Sequence, residues 1–403
     1  MTQSLGDTGR VYLDHAATTA IRPAALEVLT QQAAELGNPS SLHASGRQSR
    51  RIVEESRESI AEGLGVRPND VVFTSGGTEA DNLAIKGLYW SATSADPARR
   101  TLVVSAIEHH AVLDAVEWLV EHEGARVVWI PADRDGQTDS EWLRNHLAKN
   151  AHEVALCAVM WANNETGAIQ PIESISAICA QYGIPFHCDG VQAAAWFAPS
   201  DVWRTPRSSL AISAHKFGGP VGVGALIVNG VTPQPLLHGG GQEIDIRSGT
   251  VATALIASAA AAFSEAIAQR DVEAAHCLAL TEQLVSGVMA ISPDATLVAE
   301  ASPRLPTIGA ISFPGCQADA LLLLLDAVGV SCSAGSACTA GVPRPSHVLL
   351  AMGVPADQAQ STLRFSVGWN SQRGDIDAVV AALPAVLERA RHAGRGSVRV
   401  VSG

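Results

Sequence analysis

From about residue 70 the chain alternates short, β-rich apolar runs with longer stretches of helical period. Val71–Thr74 predicts a strand and Thr78–Leu88 a helix; Leu102–Ser105 predicts the next strand and Ala111–His122 the next helix. Val127–Ile130 and Val154–Met160 read as strands, Ile172–Tyr182 as a helix, and Pro185–Cys188, Leu210–Ser213 and Gly224–Val228 as further strands. Alternation of this kind builds a mainly parallel sheet with crossover helices. Beyond the glycine-rich His238–Gly241, the alanine-rich Val251–Ile267 predicts a connecting helix. The remainder, through Ile308–Ser312 and Ser361–Ser366, predicts a smaller α+β unit, with a frayed end from His392. No internal repeat is visible.

Composition narrows the class. A length of 403 residues suggests two domains, and 47% apolar residues are ample for a large core. With 27 basic against 40 acidic residues, the net charge of −13 argues against nucleic-acid or anionic-membrane binding driven by bulk charge. No run of about 18 apolar residues appears, so no membrane span is expected. Met1–Gly9 is polar and reads as a short tail rather than a signal peptide. Seven scattered cysteines suggest no disulfide framework and point to reduced thiols in the cytoplasm. No Cys/His spacing matches a structural zinc site.

The chemistry begins with scarcity. The chain has three lysines, Lys86, Lys149 and Lys216. Lys86 lies in a helical run and Lys149 closes a polar stretch. Lys216 follows the strand-like Ser209–Ser213 and precedes a glycine turn, and strand ends of open α/β sheets are where ligands bind. A lysine there can hold an aldehyde cofactor as a Schiff base; the plainer reading is a solvated turn lysine. Four other segments sit at strand ends. Ser75-Gly76-Gly77-Thr78 opens a helix, where free amides suit a phosphate, or it is a plain capped turn. Asp189, just past a strand, can pair with a protonated pyridine nitrogen or cap a helix. His109 can stack on a ring and move protons, or be structural. Trp161-Ala162-Asn163-Asn164 ends a further strand with two amides, which also suits an Asx turn. Taken together, a phosphate cradle, a ring-nitrogen acid, a stacking histidine and an imine lysine are what pyridoxal phosphate needs.

At this point the chain resembles the cysteine desulfurases of the NifS/IscS class, class-V aminotransferase relatives with the aspartate-aminotransferase-like fold type I. The matching segments run nearly end to end: Tyr12–Thr19, Gly37–His43, Ser75–Asn82, Glu108–Asp114, Asn163–Gly167, Ser213–Lys216, His238–Glu243, Arg247–Thr250, Gly335–Thr339 and Leu363–Ser366. The resemblance implies an α/β fold with a mainly parallel seven-stranded sheet in a large domain (20–262). It adds a smaller α+β domain (10–19 and 263–395) carrying a mobile Cys338 loop, and tails at 1–9 and 396–403.

It also implies roles. Lys216 matches the imine lysine and later base, Asp189 the partner of the pyridine nitrogen, and Gln192 the donor to the phenolic oxygen. His109 matches the stacked histidine; Gly77, Thr78, Ser213 and His215 match phosphate contacts. Thr250 matches a residue that reaches the phosphate in a neighbouring subunit, implying a homodimer. Asn164, which also touches the cofactor, Arg364 and Asn38 match groups that hold the substrate, L-cysteine. Cys338 matches the thiol that takes the sulfur as a persulfide, in a small-residue stretch whose longer form in the family feeds iron–sulfur scaffold or tRNA-thiolation acceptor proteins. No metal site is implied, save that Cys338 can ligate a partner's transient iron–sulfur cluster. Val191, Val221 and Trp369-Asn370 depart from the family's usual residues. Cys332 reads as a packed small hydrophobe. A selenocysteine lyase, or a non-catalytic scaffold of the same fold, are the alternatives.

Overall fold

The computed structural model describes residues 9–197, 205–335 and 345–398. Strand β1 (Val11–Tyr12) leads into helices α1 (Pro23–Ala33) and α2 (Ala44–Leu64). The hydrophobic pattern does not single these two out. The inner face of α2 buries Ser49, Ser56 and Arg57 beside Val53, Ile60 and Leu64, so its apolar stripe is interrupted.

The next eleven elements build a sheet and its covering helices. They are β2 (Val71–Thr74), α3 (Gly77–Ala95), β3 (Thr101–Ser105), α4 (His110–Glu123), β4 (Arg126–Ile130), α5 (Ser140–Asn150), β5 (Val154–Ala158), α6 (Ile172–Gln181), β6 (Phe186–Asp189), β7 (Ser208–Ser213) and β8 (Gly224–Asn229). The seven strands lie in the order β2-β8-β7-β6-β5-β3-β4. Strand β8 runs antiparallel to β2 and β7, and the other pairings are parallel. The expected strand through Met160 stops at Ala158 because the Met160 amide donates to the Glu108 carboxylate (2.7 Å) instead of to a ladder partner.

Both faces of the sheet are covered, and side-chain alternation assigns residues to them. Val103, Phe186, Cys188, Leu210 and Ile212 pack into one core with α2, α6 and α7 (Thr253–Ile291). Leu102, Val104, Ala158 and Ala211 pack into another with α3 and α4. His187 and Asp189, one and three positions on from Phe186, therefore project from β6 toward α3 and α4.

Helix α7 spans 39 residues, well beyond the expected Ile267. Its second half is more polar, yet Cys277, Leu280, Leu284 and Val288 recur at helical spacing and enter a third core. By length and composition α7 is apolar enough to cross a membrane; its buried side chains are instead used inside the protein. That third core holds β9 (Thr296–Leu297), β10 (Ile308–Ser312), α8 (Ala318–Ala327), β11 (Val330–Ser331), β12 (Ser333–Ala334), β13 (Thr362–Ser366) and α11 (Arg373–Val398), with α9 (His347–Ala351) and α10 (Ala356–Ala359) between β12 and β13. A four-stranded antiparallel sheet is ordered β12-β13-β10-β9. Strand β1 pairs with β11, and Asp14 bridges to Ser366, so the N-terminal segment lies against this unit. Helix α11 continues to Val398, past the fraying expected from His392.

Candidate active site

A cavity lies at the C-terminal ends of β6 and β7, under the start of α3. Gly77, Thr78, Asp81, His109, Met160, Asn164, Asp189, Val191, Gln192, Ser213, His215 and Lys216 line it. Nine of these are residues the sequence picks out.

One end suits an anion. Helix α3 begins at Gly77 with no side-chain cap, so its first amides face the cavity rather than a capping oxygen. The glycines are required here. Gly76 has φ +155°, and a Cβ on Gly77 would lie 2.7 Å from Val191 Cγ2. On Gly224 of β8 a Cβ would come within 2.8 Å of the Gly76 backbone. Buried Ser213 and the His215 ring, whose Nδ1 lies 3.2 Å from Thr18 Oγ1, complete this end.

The other end holds a buried acid. Asp189 accepts from the Val191 amide (2.9 Å). Burial pushes its carboxyl up, while that hydrogen bond, His109 and Lys216 hold it back. His109 caps α4, its Nδ1 accepting from the Ala111 amide (3.1 Å). Burial is the main force holding this imidazole below its ordinary value; Lys216, His110 and His347 add to it and Asp189 opposes them. Glu108 accepts from the Met160 amide through Oε1, while its buried Oε2 has no partner among the described residues. Burial, then Asp189, push the Glu108 carboxyl up to about 8.

Between the two ends stands Lys216, placed by a single 3-10 turn after β7. Its Nζ donates to the carbonyls of Ala16 (2.6 Å) and Ala17 (2.9 Å). Burial lowers it to about 8, Arg364 pushes the same way, and Asp189 and Asp14 oppose. Gln192 Nε2 donates to the same Ala16 carbonyl (2.8 Å), leaving its second amide hydrogen for the cavity.

Arg364, on β13, donates to the Asn164 carbonyl (2.9 Å) and to Asp14 Oδ1 (2.8 Å); its Nε is buried with no partner among the described residues. Strand alternation sends Leu363 and Phe365 into the third core. Asn38 and Thr250 are exposed and do not line the cavity. Cys338 lies outside the described residues. Cys332 is half-buried; burial pushes its thiol up to about 12, with Asp14 adding and Arg364 opposing. Trp369 lies over the buried Arg22 guanidinium (5.2 Å) and donates to the Ala20 carbonyl.

Two residues at the site escape the sequence reading. Asp81 sits one helical turn after Gly77, so its spacing already places it on the cavity side of α3. Asp14 meets Arg364 from 350 positions away, and no local pattern reveals that.

An uncapped helix start closed against side chains by glycine contacts, a buried carboxyl at the far end, a lysine of lowered basicity between, and a guanidinium held behind Asn164 make a set that fits pyridoxal phosphate and an amino acid. Fold and cavity together define a pyridoxal-phosphate enzyme of fold type I. Residues 11–379 match the Aminotransferase class-V family. The chain is 50% identical over 384 residues to the IscS-like cysteine desulfurase of Mycobacterium tuberculosis (strain ATCC 25618 / H37Rv), covering 95% of this chain and 97% of that one. A solved NifS-like protein superposes with a TM-score of 0.85 at 33% identity, over 94% of this chain and 99% of that one. Another, described as SspA in complex with cysteine, gives 0.74 at 31%, over 89% and 98%. The chain belongs to the class-V aminotransferase family, whose cofactor is pyridoxal 5′-phosphate.

Proposed function

We propose that the protein is a cysteine desulfurase: it converts L-cysteine to L-alanine and holds the sulfur as a persulfide on Cys338. The observation that carries this reading is the convergence of Lys216, Asp189, His109 and the Gly77–Thr78 cradle on one cavity, beside the Arg364 fork. The homology to named cysteine desulfurases over nearly the full chain supports the substrate.

When bound, the cofactor withdraws electrons from the substrate carbons. The chain does the rest. Gly77, Thr78, Ser213 and His215 hold the phosphate, Asp189 keeps an anion by the ring nitrogen, Gln192 donates to the phenolic oxygen, and His109 forms a wall of the ring site. Arg364 and Asn164 orient the substrate carboxylate. Lys216, of lowered basicity, takes a proton from one substrate carbon and returns one to another. The Cys338 thiolate attacks the substrate sulfur. An S–S bond forms as the C–S bond breaks, the electron pair stays on the substrate carbon, and a proton there gives alanine. Cys332 is poorly suited to that attack, because its raised thiol stays protonated at neutral pH.

The working unit is a homodimer in which Thr250 reaches the partner's phosphate site. Exposure of Thr250 away from its own cavity, with exposed Leu237 and Ile244 nearby in the chain, supports this. The enzyme acts in the cytoplasm and hands its sulfur to iron–sulfur scaffold or tRNA-thiolation acceptor proteins. A single addition of L-cysteine to the purified protein tests the reading. Alanine should appear, and mass spectrometry should find one extra sulfur on the Cys338 peptide. Extra sulfur on the Cys332 peptide, or on neither, overturns it.

A further inference from the structure

Behind the cavity runs a buried string that the reaction above does not use. Asp81 Oδ1 lies 3.1 Å from His187 Nε2, and His187 Nδ1 lies 3.0 Å from Ser209 Oγ. The three residues are between 0% and 1% exposed. His187 shares its face of β6 with Asp189 and pairs across to Ser209 on β7. Asp81 also lines the cavity, so it touches both the string and the proposed ring site.

Three carboxyls thus crowd one low-dielectric floor: Asp81, Glu108 and Asp189. Like charges there cannot all ionise. Asp189 has the partners that favour an anion, namely the Val191 amide, His109 and Lys216. The charged groups acting on Asp81 are Asp189 on β6 and Glu108 ahead of α4, and both oppose its ionisation, as does burial. His187 is pushed down to about 3 by burial, so it is a neutral acceptor.

We propose that Asp81 is a positioning residue that shares one proton with His187, and so reserves Asp189 as the anion beneath the cofactor ring. This rests on the pyridoxal-phosphate reading of the cavity. The neutral Asp81 carboxyl donates to His187 Nε2, which leaves the His187 hydrogen on Nδ1 to donate to Ser209. Without His187, the Asp81 proton would turn to Asp189 and blunt its charge.

The proton's place is read first on wild-type protein, with and without cofactor. Infrared difference spectra against Asp81→Asn should show the loss of a protonated-carboxyl band. Nitrogen-15 NMR should show His187 neutral, with hydrogen on Nδ1. A carboxylate band, or a doubly protonated His187, overturns the proposal. The consequence is read on the holoenzyme. His187→Phe should weaken cofactor binding about tenfold and lower the pH midpoint of the bound-cofactor absorbance by about one unit, because a nearby anion has been partly neutralised. Adding Asp81→Leu removes the competing donor and should restore the midpoint; two merely structural lesions would compound, and that result also overturns the proposal. If the wild type takes up no pyridoxal phosphate, the cofactor reading fails, while the infrared and NMR measurements on the apoprotein still decide where the proton sits.

Discussion

The Arg364 guanidinium is held by two distant segments: one nitrogen is 2.8 Å from Asp14 Oδ1, and another is 2.9 Å from the carbonyl of Asn164, a residue of the cavity wall. Asp14 and the Asn164 carbonyl fix the plane of the fork, and the carboxylate of the proposed substrate would compete with them for its hydrogens. An Arg–carboxylate contact is worth roughly 1.5–3 kcal/mol. Arg364→Ala should therefore weaken L-cysteine binding tenfold or more while cofactor content and absorbance stay intact, as read by spectroscopic titration. Normal cysteine affinity with lost cofactor would contradict the assignment.

Lys216 must be neutral to attack an aldehyde. At its lowered value of about 8, the neutral amine is roughly one part in ten at pH 7, against roughly one in three thousand for an ordinary lysine. Loading of apoprotein with pyridoxal phosphate should accelerate as pH rises and level off above about 8, followed by absorbance. Lys216→Ala should lose the covalently held cofactor absorbance and all turnover. A loading rate still climbing steeply toward pH 10 would refute the lowered basicity.

Glu108 is a stability probe. Its folded value of about 8 lies above the ordinary 4.5. The native state therefore keeps a proton that the unfolded chain gives up. The associated stability is complete below about 4.5 and is lost as pH rises toward 8, at up to about 1.4 kcal/mol per pH unit. Glu108→Gln keeps the acceptor for the Met160 amide and removes the titration. Thermal melts should show the variant gaining on wild type from pH 5 to pH 8, and parallel curves would count against this account.

Thr250 tests sharing between subunits. Mixing chains carrying Thr250→Ala with chains carrying Lys216→Ala should recover part of the activity in heterodimers, because one of the two sites then has both residues intact. A fully active monomer in sedimentation would exclude a shared site.

Sequence and structure agree where chemistry and pattern are both local. The strand at Val71–Thr74 and the Lys216 turn follow from short apolar runs ended by glycines. Asp189 and Lys216 could be suspected because each stands at a strand end. What stays hidden depends on distant neighbours. Helix α2 buries Arg57 against Glu243, a pairing across 186 positions that no periodicity displays. The second half of α7 looks solvent-facing until a third core covers it. The contact of Asp81 emerges only when His187, 106 positions on, is seen behind it.

Helix α7 has a mechanical consequence. At about 1.5 Å per residue its 39 residues make a rod roughly 58 Å long. Phe263 and Ala266 are planted in the core under the large sheet, and Leu280 and Leu284 in the core of the smaller one. A chain ending at residue 262 would strip Phe263 and Ala266 from the first core and Leu280 and Leu284 from the third. The two halves therefore share a spine, and heat should dismantle them in one transition, so that a lesion as remote as Leu284 is felt in how tightly the protein grips its cofactor.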